Sequence, residues 1–73
     1  MKYTISMVVS GLDPATKKCF YKEREVGSAR TLQQAHGVFD KYLGEHRFKP
    51  SENYGVFLSI RQGSRVIHRM QIN

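Results

Sequence analysis

The stretch Tyr54-Gly55-Val56-Phe57-Leu58-Ser59-Ile60-Arg61-Gln62-Gly63-Ser64-Arg65-Val66-Ile67-His68-Arg69-Met70-Gln71-Ile72 decides the fold. Its two ends read as strands and its middle, Arg61 to Ser64, as the turn between them. A two-residue Gly63-Ser64 turn would pair Ile60 with Ile67 and Leu58 with Arg69, mixing core and surface residues on one side. A three-residue loop, Arg61-Gln62-Gly63, with Gly63 left-handed in a bulge, shifts the register by one. Side chains alternate with period two, so that step re-sorts every residue. The expectation is therefore a core side of Tyr54, Val56, Leu58, Ile60, Val66, His68, Met70 and Ile72. Phe57, Ile67, Arg65 and Arg69 share the reverse side.

Upstream, Tyr3, Ile5, Met7 and Val9 alternate with Lys2, Thr4, Ser6 and Val8, the pattern of a half-buried strand. Asp13-Pro14 opens a turn, because proline presets the φ that a type I turn needs. Lys18 to Val26 reads as a second, antiparallel strand. Gly27 ends it. Thr31-Leu32-Gln33-Gln34 fits a capping box, with Ser28 a rival cap. Leu32, Ala35, His36, Phe39 and Leu43 then form one helical stripe. Gly44 stands where a left-handed cap would close the helix. Glu45 to Asn53 is a loop.

The order β-β-α-β-β predicts an α+β, two-layer domain over residues 1–73: a four-stranded, mainly antiparallel sheet with one helix on one face. Core candidates are Ile5, Met7, Val9, Leu32, Ala35, Phe39, Leu43, Val56, Leu58, Ile60, Val66 and Met70. A single helix covers only one side of four strands, so the other side faces solvent or a partner.

With 73 residues, the core is marginal, and small scaffolds often add a staple. One cysteine, Cys19, excludes an internal disulfide, and no cysteine–histidine cluster has metal-ligand spacing. Self-association is the expected supplement, giving a homodimer or other homo-oligomer. No run approaches a membrane span, the amino terminus lacks the pattern of a signal peptide, and a lone thiol fits a cytoplasmic setting.

Twelve lysines and arginines against six acids give a net charge of +6, which favours a polyanionic partner. If Phe20, Lys22 and Arg24 lie on the side of Phe57, the open face interleaves rings with cations, as nucleic-acid binding requires. That choice sends Cys19 and Tyr21 to the core. The opposite choice puts Glu23 and Glu25 on the open face and divides its positive charge.

The chemistry-bearing residues point away from catalysis. His36 and His68 can approach one another, but a structural role at the core edge outweighs acid–base work. Cys19 is expected to be a buried small hydrophobe. Glu23 and Glu25 read as a solvated, ion-paired strand. The glycines follow no phosphate-loop spacing, and Gly37 is expected to let the helix approach the sheet.

Asp13-Pro14-Ala15-Thr16-Lys17 between two strands, with the helix from Thr31, resembles the amino-terminal arm-binding domains of tyrosine recombinases, which read DNA with a sheet. The likeness covers about half the chain. Those domains place three strands before the helix, whereas this chain places two on either side, so it is a resemblance of parts and not of family.

The expected function is that of a small non-enzymatic binding module without cofactor or metal, holding nucleic acid through Lys22, Arg24, Phe57, Arg65, Ile67 and Arg69. The alternative is a protein-binding accessory or inhibitor, homodimeric, anchored on Phe57 and Ile67 of the same face.

Overall fold

A computed structural model describes residues 2–73. The elements are β1 (Tyr3–Leu12), β2 (Cys19–Ala29), α1 (Leu32–Glu45), β3 (Tyr54–Gln62) and β4 (Arg65–Gln71). They build one sheet of order β2-β1-β3-β4, with every neighbouring pair antiparallel. This is the two-layer β-β-α-β-β arrangement that the alternating patterns predict.

The β1–β3 ladder sorts the layers. Ile5, Met7 and Val9 lie opposite Ile60, Leu58 and Val56, and α1 packs on that side. Ala35 and Phe39 are the buried helix residues, and they join Ile5, Leu58 and Ile60 in the core. Burying a side chain such as Phe39 contributes about 1.5–3 kcal/mol through the hydrophobic effect. Thr31 caps the helix, its Oγ1 accepting from the Gln34 N–H at 3.2 Å. The Gln34 side chain reaches back one residue further than a capping box, accepting from the Arg30 N–H.

The helix ends differently from the sequence expectation. Gly44 remains inside it, and His46 caps it through a backbone N–H donated to the Tyr42 carbonyl. The His46 ring stacks on Tyr42 with centroids 3.9 Å apart. Leu32, Val66 and Met70, all expected in the core, are 40%, 49% and 42% exposed. Leu32 occupies the first helical position, Val66 stands opposite Arg61 on the side away from the helix, and α1 meets β4 at His68, through His36 and Phe39, leaving Met70 beyond it.

Two bulges set which residues face which side. In β2, Ile5 pairs with Gly27 but Ser6 pairs with Glu25, so Val26 is the extra residue. In β4, Arg61 pairs with Val66 but Ile60 pairs with His68, so Ile67 is the extra residue. The second bulge does the work expected of a three-residue loop, from a different place. The turn itself has two residues, with Gln62 opposite Arg65 and Gly63 at φ +63°. Glycine at the first turn position with positive φ suits a two-residue hairpin. The bulge then brings His68 and Met70 into phase with Ile60 and Leu58.

Gly27 does not end β2, which runs on to Ala29. It is instead a point of close approach between helix and sheet: a Cβ there would lie 2.7 Å from Val38 Cγ1. Gly37, expected to serve this purpose, is exposed with open space where its Cβ would be. Gly27→Ala should therefore destabilise the fold by about 1–3 kcal/mol through overpacking against a stiff β-branched side chain. Adding Val38→Ala should recover part of that loss in urea melts, whereas Gly37→Ala should stabilise by up to ~1 kcal/mol.

Candidate nucleic-acid interface

The register of β2 decides where the cations lie. Asp13 N–H donates to the Lys18 carbonyl and Lys17 N–H to the Asp13 carbonyl, with Lys17 left-handed at φ 58°. This closure sets Leu12 opposite Cys19, Gly11 opposite Phe20, Val9 opposite Lys22 and Met7 opposite Arg24. Since Val9 and Met7 belong to the helix side, so do Phe20, Lys22 and Arg24. Their expected grouping with Phe57 on the open face fails. Tyr21, Glu23 and Glu25 take the open face instead, and Cys19 is exposed rather than buried.

The remaining expected site residues also divide. Phe57 and Arg69 are on the open face, opposite Val8 and Ser59. Arg65, opposite Gln62, falls in register with the helix side. Ile67 occupies the bulge and is 37% exposed. Of the six residues expected to form one surface, only Phe57 and Arg69 share the open face.

The open face is largely self-satisfied. The Phe57 ring lies against Gly55, where a Cβ would come within 2.7 Å of it. The Arg69 guanidinium stands 4.2 Å above that ring. Arg61 pairs with Glu23, and Glu23 accepts from the Tyr21 hydroxyl at 2.8 Å. That hydrogen bond pushes the Tyr21 phenol above its ordinary value of 10.0, with desolvation and the Glu23 charge adding to it and Arg61 and Arg69 opposing. Val8, Ser6 and Ser59 are buried beneath this layer. Sequence reasoning missed Tyr21 because of the β2 register and Val66 because of the β4 bulge; Arg61 follows Phe57 and Ser59 by plain alternation but was read as part of the turn.

Lys2 pairs with Glu25 and Lys41 with Glu45, but no ion pair engages Lys17, Lys18, Lys22 or Arg24 among the described residues. Phe20, Lys22 and Arg24 stand at every second position along β2, about 6.6 Å apart, with Lys18 just before its start. The helix ends near the level of Met7, where the Tyr42 hydroxyl meets Sδ at 3.2 Å. Past that point Val9, Phe20 and Lys22, with Asp13, Thr16, Lys18 and Cys19, line an open groove of about 500 Å³. The alternation of Phe20, Lys22 and Arg24 was visible in the sequence; the sheet face they occupy was not.

His36 and His68 do approach, with ring centroids 5.4 Å apart, and His68 sits edge-on to Phe39 at 5.0 Å. Among the described residues no group of three histidine, cysteine, aspartate or glutamate side chains is placed to hold a metal ion. No helix among them is long and apolar enough to cross a membrane. Compared with known protein families, curated proteins and solved structures, the chain matches none of them.

Proposed function

We propose that the protein is a non-enzymatic module that holds a nucleic-acid strand along the outer strand β2, on the side that carries the helix. The observation that supports this reading is the row Lys18-Phe20-Lys22-Arg24, with Lys17 at its end, whose cations make no ion pair among the described residues. Lysines and arginines at this spacing neutralise phosphates and release counterions, while Phe20 offers a ring for a base to stack on, worth about 1–3 kcal/mol. The open face suits this task less well, because its arginines already serve Glu23 and Phe57.

The alternative, a protein-binding accessory or inhibitor anchored on Phe57 and Ile67, has divided support: one face of the Phe57 ring is taken by Arg69, with Gly55 beneath it, whereas Ile67 stands exposed in the β4 bulge. Exposed apolar side chains lie instead along β4, where Val66, Ile67 and Met70 are 37–49% exposed.

The test is an oligonucleotide titration at two salt concentrations. Four phosphate contacts to a single strand give a log–log salt slope near −2.8, so binding should weaken about fifty-fold from ~50 to ~200 mM salt. Absence of binding to a mixed-sequence oligonucleotide at the lower salt ends the proposal.

A further inference from the structure

We infer that two copies of this chain join through the free edge of β4, continuing the sheet from four strands to eight across a two-fold axis. The inference is independent of the nucleic-acid reading and rests on area, exposure and hydrogen-bond direction. The accessible surface is 5424 Å², whereas a compact monomer of 8.4 kDa exposes about 4600 Å². The radius of gyration is 13.2 Å, against about 11 Å for a compact chain of this length. The chain thus exposes roughly 800 Å² more than a compact monomer of its mass.

The two edges of the sheet are not equivalent. The outer edge of β2 carries Lys22-Glu23-Arg24-Glu25, alternating charges that guard an edge against pairing. Towards its end β4 carries Met70, 42% exposed, on the helix side just past His68, where α1 meets the strand. Two identical edges joined by a two-fold axis form a self-complementary interface that closes on itself.

The hydrogen bonds select one register. Ile72 N–H donates to the Val56 carbonyl at 2.8 Å, so Ile72, Met70 and His68 direct their backbone groups inward to β3. By alternation Arg69 and Gln71 direct theirs outward. The pairing that uses them sets Arg69 of each copy opposite Gln71 of the other, with Met70 opposite Met70 on the axis. His68 then faces Ile72. On the helix side Met70 meets Met70, flanked by His68 facing Ile72, and on the open side each arginine meets an amide. Sliding the strands so that Arg69 faces Arg69 would set like charges directly opposite, which is unfavourable.

Sedimentation of the wild-type chain from micromolar to millimolar concentration should show a monomer–dimer equilibrium, and Met70→Lys should sediment as a folded monomer with unchanged far-ultraviolet circular dichroism. In a Cys19→Ser background, Met70→Cys should oxidise to a disulfide-linked dimer, because a non-hydrogen-bonded antiparallel pair has Cα atoms about 4.5 Å apart. Arg69→Cys should cross-link poorly, since its copies would stand about 7–8 Å apart on the diagonal. A wild-type chain that stays monomeric throughout overturns the inference and leaves the β4 edge to some other strand. A dimer that survives Met70→Lys, or that cross-links as readily through Arg69→Cys, overturns it as well. None of these outcomes bears on whether β2 holds nucleic acid, which the salt titration reads separately.

Discussion

Replacing Lys22 and Arg24 together by glutamate should weaken oligonucleotide binding about 10- to 100-fold at low salt and halve the salt slope, from near −2.8 to near −1.4. Both side chains are exposed and neither has an ion pair to lose among the described residues, so the fold should be unaffected. The slope matters more than the affinity. A variant that unfolds loses binding without leaving a clean residual slope, whereas removal of two phosphate contacts leaves a measurable smaller one. The matched control is Arg65→Glu with Arg69→Glu, which should change binding much less because those side chains lie away from the β2 row. If the control pair abolishes binding while the β2 pair does not, the interface has been put on the wrong strand.

The second large effect is on stability. Phe39→Ala should destabilise the fold by about 3–5 kcal/mol, the cost of deleting a buried phenylalanine and leaving a cavity. Phe39 is 1% exposed and packs between the Ile5–Leu58–Ile60 sheet surface and the His68 ring. A domain of 73 residues has a total stability of roughly 4–11 kcal/mol, so the variant should be partly unfolded at room temperature. Urea melts followed by circular dichroism read this directly. Phe57→Ala provides the contrast: its ring lies on the open face against Gly55, and its loss should cost clearly less. Equal losses for the two would mean that the sheet has two cores.

The order of elements was legible because each carries an uninterrupted period. Tyr3, Ile5, Met7 and Val9 alternate over a full strand, and Ala35 and Phe39 fall on one helical stripe facing the same sheet surface. The faces of β2 were not legible. One side of that strand offers Tyr21, Glu23 and Glu25 and the other Phe20, Lys22 and Arg24, each an aromatic and two charges, so hydrophobic contrast could not choose between them. What chose was the Asp13–Lys18 turn, with Lys17 left-handed, a backbone state that lysine rarely takes and that sequence does not announce.

The bulges were hidden for a similar reason. Val26 and Ile67 are β-branched residues that read as ordinary strand positions, with no glycine to mark the irregularity. The alternation in β4 demanded a one-residue shift somewhere between Ile60 and His68, and the glycine at position 63 drew that shift into the turn. Placing it at Ile67 instead moves Val66 to the open face and Arg65 to the helix side. The candidate interface inherited both errors, and its arginines proved to be partly occupied by Glu23 and Phe57.

The most direct measurement is amide chemical-shift mapping during titration with a mixed-sequence oligonucleotide at low salt. Shifts should concentrate on residues 17–24, with Val9 beside them, and spare Phe57, Arg61 and Arg69. Shifts centred on that trio, or none at all, would contradict binding along β2.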